Sequence, residues 1–435
     1  MDFIAKRNKL RRRKLLVLIN AVCTATIHWK RKAYFKQLNS LSKKIDRDGN
    51  IYRDRENMLR EINAFPDYIF RSMFRVDRST FEEILSKITP NLASNSDIDP
   101  LSKEMAARSV KGGQGSALSP RIKLLATLRF LAGGMKWDIC FAFKIGWGSF
   151  FSTESRGVFW PVCEAIDLSY TIGLDFNPAV LQKHSEEFAA ICPASAPVFD
   201  GVVLALDGWV METRCPYRKE VDNVMSYRNR KGMWGIVILA GCDARCKFHM
   251  WNNKNTGSTN DCTAWDNSAL KERIEDGALP GNYYFIGDEA FVLQNNFLIP
   301  WGGTGIGSAK DSFNYHLSAR RQVIERAFGI LVKRWGIFAR PLLVKHSRWA
   351  LVSTVCAKLH NICIDKNVPT VMRLTKDTMA DDRDTCLPNI LHENDIAPVS
   401  SRGTTRGTRR VMMTNELEAM GVKRPGYAMV HSRAN

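Results

Sequence analysis

Residues 202–209 read VVLALDGW and decide the fold of this chain. Val202 to Leu206 form an apolar run of the length expected for a buried strand, and Asp207 follows that run directly. A carboxylate is costly to bury without a partner, so we expect Asp207 to emerge at the carboxyl end of the strand. Ligands of α/β sheets bind at that end, and the stretch therefore predicts a functional site beside this strand.

Apolar runs and helical patterns alternate from about Ala196 onward. Further strands are predicted at GIVILA (235–240), CKFHMW (246–251) and residues 283–286. A helical pattern, DCTAWDNSALKERIED, precedes the last of these strands, and two long ones, SARRQVIERAFGILVKRWGIF and RWALVSTVCAKLHNICIDK, follow it. This order predicts an α/β fold of the ribonuclease-H-like type, a mixed five-stranded sheet flanked by helices. Asp207 would then lie on the central strand.

The preceding residues have helical patterns. A helix is predicted within FRVDRSTFEEILSKITPNL, and three more within RIKLLATLRFLAGG, KWDICFAFKIG and SFFSTESRGVFWPVCEAI. This order of a helix, a short helix, a glycine turn and a further helix is typical of a helix-turn-helix unit. The alternative is an ordinary three-helix bundle. We divide the chain into a basic N-terminal segment (1–65), an all-α, helix-turn-helix-like region (66–195), the ribonuclease-H-like domain (196–366) and a basic tail (367–435). The tail is predicted to be largely disordered, with a short helix at MTNELEAMG.

Composition indicates an anionic partner. The 435 residues include 63 Lys and Arg against 44 Asp and Glu, which gives a formal net charge of +19 and a pI near 9.5. Such an excess predicts binding to nucleic acid or to an acidic membrane surface. The 11 cysteines are scattered and odd in number, which argues against a disulfide framework, and Cys242 and Cys246 have no second pair at zinc-finger spacing.

The N-terminal segment KRNKLRRRKLLVLINAVCTATI could be taken for a membrane anchor. Its apolar part, Leu15 to Ile27, is about half of the roughly 20 residues that a membrane span needs, and the basic run from His28 to Lys32 follows at once. We favour a nuclear-localisation signal or a DNA-contacting helix over a targeting peptide or a solvated helix. The predicted location is therefore the nucleus, with the cytoplasm as a second location, and no membrane partner is expected.

Three further acids stand at element junctions: Asp261 in TGSTNDC, Asp288 in YYFIGDEAF and Glu325 in RRQVIERAFG. Asp288 ends the fourth predicted strand, which should lie beside the strand of Asp207. Cleavage of a phosphodiester by two metals needs carboxylates that hold two ions about 3.5–4 Å apart, and Mg²⁺ prefers such oxygen ligands. Taken singly, each Asp is more often a cap or a solvated turn residue, and Asn260 or Asp261 could cap the following helix. Four acids in this order favour a metal site.

From about Asp207 to Asp365 the chain resembles the PIF/Harbinger transposases and their transposase-derived nuclease relatives, the DDE superfamily endonucleases. The matching segments are DGW, YRNRKGMWGIVILAGCDARCKF, GSTNDCTAWDNS, FIGDEAFVLQNNFLIPW, RRQVIERAFGILVKRW and KLHNIC. The helical region from about residue 70 also resembles the segment that precedes the catalytic domain in that family.

The resemblance implies a ribonuclease-H-like core, a divalent cation such as Mg²⁺ or Mn²⁺, and DNA as substrate. It implies that Asp207, Asp261, Asp288 and Glu325 are catalytic metal ligands, with either Asp261 or Asp288 as the second acid of the triad. It also implies a separate Myb-like DNA-binding partner and allows a homo-oligomer. The chain departs from the family in having Trp209-Val210 in place of a Thr-His-like pair, and Phe291 in place of a Tyr. Both changes could alter substrate fit, and neither removes a carboxylate.

Basic residues flank these acids. We expect them to contact phosphates, with a solvated turn as the alternative for the first group. They are Arg228, Arg230 and Lys231 in SYRNRKG, and Arg320, Arg321, Arg326, Lys333 and Arg334 around Glu325. His249 and His360 are expected to be structural, because two-metal hydrolysis needs no histidine. Trp209 could stack on a base or close the core.

The sequence thus predicts a metal-dependent DNA endonuclease or transposase of the Harbinger type, which hydrolyses phosphodiester bonds and, if mobile, transfers strands. The rival is a domesticated, non-catalytic DNA-binding or protein-interaction module that keeps the fold. A nuclease acting on RNA is a third alternative.

Overall fold

The computed structural model describes residues 55–93, 118–153, 157–303, 305–370 and 408–425, and the backbone of two short paired strands, β1 (Lys44–Ile45) and β2 (Ile51–Tyr52). Most of the basic N-terminal segment, and the tail apart from residues 367–370 and 408–425, lie outside the described residues, so the predictions made for them are not addressed by the structure. No helix in the described part of the chain has the length and apolarity needed to cross a bilayer.

Helices account for most of the described residues between 55 and 195, as the sequence predicts. They are α1 (Arg55–Asn63), α2 (Asp67–Phe74), α3 (Arg78–Ala93), α4 (Pro120–Leu131), α5 (Lys136–Ala142), α6 (Trp147–Phe150), α7 (Phe159–Ser169) and α8 (Pro178–Ala190). Pro120 opens α4, where its missing N–H costs nothing. The sequence patterns did not indicate α8, which begins at Pro178 and is capped by the side chain of Asn177.

The described residues form two compact units. One consists mainly of α1, α4, α5 and α6, and edge-to-face contacts of Phe130 with Phe150, Phe151 and Phe159 hold it together. DNA contact by the helices of this unit stays a prediction. The other unit contains α2, most of α3 and nearly everything from Cys163 onward.

A five-stranded sheet is the centre of the second unit. Its strands are β3 (Val202–Glu212), β4 (Gly235–Cys242), β5 (Phe248–Thr256), β6 (Tyr284–Ile286) and β7 (Phe297–Leu298), in the order β5-β4-β3-β6-β7. The pairs β3–β4 and β4–β5 are antiparallel, and β3–β6 and β6–β7 are parallel. The prediction of a mixed sheet with β3 at its centre is confirmed. Sequence patterns located four of the strands, and β7 is too short to be recognised by periodicity.

Helices flank this sheet. They are α9 (Asp261–Asp266), α10 (Ala269–Glu275), α11 (Ser308–Arg334), α12 (Trp349–Asp365) and α13 (Thr408–Ala419). The single helical stretch predicted at 261–276 is two helices, because Ser268 caps a new helix by accepting the N–H of Lys271. Within the segment predicted as a tail, α13 packs against α11 and buries Met413 and Leu417.

Candidate metal centre

Parallel pairing places Asp207 beside Asp288. Ala205 of β3 pairs with Ile286 of β6, and each aspartate lies two residues beyond that pair. Contrary to the sequence expectation, Asp207 does not end its strand, because β3 continues to Glu212 through antiparallel pairing with β4. Since β6 stops at Ile286 while β3 goes on, the two strands separate where the carboxylates stand. The strand edge at this point is open to a ligand.

Asp261 reaches the same place from the start of α9. The helix is capped by Asn260, whose side chain accepts the N–H of Thr263 at 2.8 Å, so Asp261 is not needed as a cap. Its carboxylate lies directly against the Cα of Gly208, where a methyl group would overlap it. Asp261 could be either a helix cap or a metal ligand from its sequence. In the structure Asn260 caps the helix, and Asp261 lies beside the other aspartates.

The three aspartates offer carboxylate oxygens that all lie within 4.8 Å of one another. Burial raises the pKa of Asp207 to about 8, and the charges of Asp288 and Asp261 act in the same direction, while Arg321 opposes them. Burial and the charge of Asp288 raise the pKa of Asp261 to about 6. Burial also raises the pKa of Asp288. So much negative charge in one partly desolvated place requires protons or a cation.

Glu325 is not within the group of three aspartates and is connected to Asp207 through a shared arginine. It lies on α11 one turn after Arg321, whose Nη2 is 2.7 Å from its Oε1. Nη1 of the same guanidinium is 3.4 Å from Oδ2 of Asp207. All three side chains are 16–17% exposed. Arg321 therefore supplies the positive charge that joins Asp207 to Glu325, rather than projecting freely to a phosphate.

The loop that precedes β4 places cations beside this centre. Arg228, Arg230 and Lys231 are exposed, and the charge of Arg230 acts to lower the pKa of Asp261. Arg228 donates through Nε to the carbonyl of Gly232 at 3.2 Å. Their predicted contact with phosphates stays a prediction, and their exposure is compatible with it.

Among the basic residues of α11, Arg326 and Lys333 are exposed, whereas Arg320 and Arg334 are buried. The guanidinium of Arg320 donates to the Oγ of Ser195 and to the carbonyl of Cys192. That of Arg334 donates to the carbonyl of Val368 at 2.8 Å. The expectation that Arg320 and Arg334 contact phosphates is therefore wrong: both bind backbone and hydroxyl oxygens inside the domain.

The histidines and Trp209 lie in packed surroundings. His360 is fully buried with Nε2 2.8 Å from the carbonyl of Cys246, and burial lowers its pKa to about 4. His249 pairs with Asp243. Trp209 packs against Phe328 and Phe338. These contacts favour the structural interpretation of all three residues.

Sequence reasoning missed the importance of Gly208. A glycine in a strand interior weakens the strand and often marks close approach of another group, and that signal was present in VVLALDGW. Phe291, which stands where the family has a Tyr, is buried against Phe297 with ring centroids 4.8 Å apart. Phe291 therefore packs the loop after β6, and it has no hydroxyl group that could contact the carboxylates.

The residues around this centre are similar to those of known proteins. The profile of the family described as "DDE superfamily endonuclease" matches residues 206–361, a range that contains all four acids. A mouse protein named "Putative nuclease HARBI1" is 28% identical over 257 residues, which are 57% of this chain and 68% of that protein. The rat and human proteins of the same name are 27% and 26% identical over 259 residues, with the same coverage of both chains. No solved structure matches the chain.

Proposed function

We propose that this chain is a divalent-metal-dependent DNA endonuclease of the Harbinger type, because residues 206–361 match the profile of the DDE superfamily endonucleases. The observation that carries the proposal is the convergence of three aspartates from β3, the start of α9 and the end of β6 within 4.8 Å. Local caps or solvated turn residues would have no reason to meet.

The donor set fits a hard divalent cation. The ligands would be Asp207, Asp261, Asp288 and Glu325, all carboxylates, which suits Mg²⁺ or Mn²⁺ better than softer metals. Two such ions would activate the attacking oxygen and stabilise the leaving oxygen of an in-line displacement at phosphorus. The raised pKa values of Asp207 and Asp261 support this assignment, because burial and the charge of Asp288 raise them and a bound cation would stabilise the ionised carboxylates.

The protein's own residues would also orient the substrate. Arg230 and Lys231 project from the loop beside Asp261, where they could hold the phosphates that flank the scissile bond without reading sequence. Arg321 would hold Asp207 and Glu325 together before cations enter. In a mobile element, the freed 3′ hydroxyl would then attack target DNA. Location in the nucleus, a Myb-like partner for sequence specificity and a homo-oligomer belong to the same proposal.

Nicking of supercoiled plasmid by the purified full-length chain tests the proposal. We expect nicking with Mg²⁺ or Mn²⁺, none with EDTA, and a loss of at least ~100-fold in Asp207→Asn and in Glu325→Gln. The matched control is Asp276→Asn, an exposed acid at the end of α10, which should cut as the wild type does.

Two results would contradict the assignment. Equal nicking by Asp207→Asn, Glu325→Gln and the wild type would remove the four acids from catalysis. DNA binding without metal-dependent cutting by the wild type would favour the non-catalytic module. A parallel substrate with a single ribonucleotide tests the RNA alternative, which requires cleavage to depend on the 2′ hydroxyl.

A further inference from the structure

A second group of potential metal ligands lies at the turn of the β4–β5 hairpin. His184 of α8, Asp243 in the turn after β4 and His249 of β5 each offer one ligand atom, and these atoms lie within 4.8 Å of one another. Asp243 is three residues beyond Ala240, the partner of Asp207 in the sheet, which is roughly 10 Å along the strand. The group is therefore separate from the catalytic carboxylates.

The carboxylate of Asp243 is held in one orientation by its own turn. Oδ1 accepts the backbone N–H groups of Arg245 and Lys247, each at 2.9 Å. Oδ2 points the other way, 3.1 Å from Nε2 of His249. Burial opposes ionisation of this 1% exposed side chain, but the hydrogen bonds from His249 and Lys247 outweigh it and lower its pKa. An ionised oxygen is thus presented to the two imidazoles.

The buried ring of His184 makes a hydrogen bond to the backbone of Val203 and leaves its other nitrogen unsatisfied within the described part of the chain. The residue is 4% exposed, and its Nδ1 has no hydrogen-bond partner among the described residues. Its ring centroid is 4.7 Å from that of His249. Burial lowers the pKa of His184 to about 4, and His249 acts in the same direction. The neutral ring keeps a lone pair next to a second imidazole and a carboxylate, which is what a metal ion requires.

We propose that His184, Asp243 and His249 bind a zinc ion that ties α8 to the β4–β5 hairpin. Two imidazoles and one carboxylate suit Zn²⁺ and exclude Mg²⁺ as the preferred ion. Glu187, one turn after His184 on the same helix, has a buried Oε2 without a partner among the described residues, and its Oε1 lies 3.7 Å from Arg245 of the same turn. The role is structural, since the group lies away from the catalytic acids.

The competing explanation is an ordinary ion pair of His249 with Asp243, with His184 packed beside it. A metal-binding measurement distinguishes the two, provided that the catalytic acids cannot bind the ion. We therefore take the full-length chain with Asp207→Asn and Asp288→Asn as the reference protein. His249→Gln keeps an N–H donor for Asp243 but removes the imidazole lone pair. His346→Gln is the matched control, because His346 bonds the hydroxyl of Tyr227 elsewhere in the domain.

Zinc is titrated by equilibrium dialysis with metal analysis, and Co²⁺ is used as a spectroscopic replacement. We expect one Zn²⁺ per reference chain, unchanged binding in His346→Gln, and binding at least ~10-fold weaker in His249→Gln and His184→Gln. The Co²⁺ form should show the visible bands of a low-coordinate site with nitrogen ligands. Equal Zn²⁺ binding by His249→Gln, or no Zn²⁺ bound by the reference chain, overturns the proposal. If the variants do not fold, the Co²⁺ spectrum of the reference chain decides: nitrogen-ligand bands support the site, and their absence refutes it.

Discussion

The carboxylate of Asp261 lies directly against the Cα of Gly208, so that no side chain larger than hydrogen fits between the central strand and the start of α9. This contact brings the third aspartate to the edge of β3, where Asp207 and Asp288 already stand side by side. The residue that follows Asp207 is therefore a glycine for a steric reason, since its backbone φ is not in the left-handed region.

Gly208→Ala should impair catalysis much more than folding. A methyl group would displace the carboxylate of Asp261 from its neighbours, and misplacement of a reacting group by about 1 Å can cost on the order of 100-fold in rate. We expect a comparable loss in plasmid nicking with a nearly unchanged melting temperature. Gly281→Ala is the control, because nothing lies within 4 Å of the added methyl. Full activity in Gly208→Ala would mean that Asp261 is not a ligand.

Stability of the metal-free protein should fall as the pH rises. The pKa of Asp207 is raised from 3.8 to about 8 in the folded state, which therefore holds a proton that the unfolded chain releases. The stabilisation is fully present below pH 3.8 and is lost as the pH rises through about 8. Asp261, with a pKa of about 6, acts in the same sense over a narrower range.

Thermal melting in EDTA between about pH 5 and pH 9 measures this effect. Asp207→Asn removes the titrating group, so its melting temperature should exceed that of the wild type by a margin that grows with pH. Asp276→Asn should follow the wild-type curve, because its side chain is exposed on the surface. Addition of Mn²⁺ should stabilise the wild type most at high pH. Parallel pH curves for the wild type and Asp207→Asn would contradict the raised pKa.

The central strands and the positions of the acids could be predicted because short stretches of sequence indicate both. Apolar runs of strand length, each followed by an aspartate, indicate β3 and β6, and parallel pairing of these strands then brings Asp207 and Asp288 together. The N-cap could not be assigned from sequence, since Asn260 and Asp261 are both good caps and only the helix start distinguishes them.

The errors concern properties that depend on distant partners. Arg320 and Arg334 lie on a helix with exposed cations at Arg326 and Lys333, and nothing in the local sequence distinguishes the buried from the exposed ones. Arg320 is satisfied by the hydroxyl of Ser195, which is far away in the chain, and Arg334 by the carbonyl of Val368, which lies beyond the end of the helix. The sequence shows which residues are charged, whereas tertiary packing determines which of them are exposed to solvent.

Removal of the Arg321 charge should strengthen metal binding. Its guanidinium joins Asp207 to Glu325 and repels an incoming cation: two unit charges about 4 Å apart interact by about 4 kcal/mol at an effective dielectric constant of 20. We expect Arg321→Gln to bind Mn²⁺ at least ~10-fold more tightly than the wild type in calorimetry without DNA. Arg321→Lys keeps the charge and should stay near the wild type. Weaker binding by Arg321→Gln would indicate that the arginine organises the ligands rather than competing with the ion.

The salt dependence of DNA binding should separate exposed from buried arginines. Removal of one cation that binds a phosphate reduces the slope of log K against log salt by about 1. We expect this reduction in Arg230→Gln and Lys231→Gln, whose side chains are exposed, when binding is measured in EDTA. Arg320→Met should leave the slope unchanged and lower stability, because its guanidinium binds buried oxygens. An unchanged slope in both loop variants would remove this loop from the DNA interface.

Weaker packing of α13 should destabilise the catalytic unit. Leu417 is fully buried and Met413 is 5% exposed, and both lie in the short helix predicted at MTNELEAMG within the tail that the sequence predicts to be largely disordered. Trp301 links this helix to the loop before α11, donating from Nε1 to the hydroxyl of Thr414 at 3.0 Å and lying 3.9 Å under the guanidinium of Arg410. Helix α13 is therefore part of the folded unit that contains the sheet, although it lies more than 40 residues after α12 in the sequence.

Urea unfolding of Leu417→Ala tests this role. Truncation of a buried leucine costs about 2–5 kcal/mol, so the midpoint should fall clearly below that of the wild type. Met412→Ala is the matched control on the same helix, because its side chain is 64% exposed and its truncation should change stability by less than about 0.5 kcal/mol. Equal midpoints for the two variants would mean that α13 does not stay docked in solution. A selective loss of stability in Leu417→Ala would establish that the catalytic unit extends to the C-terminal helix.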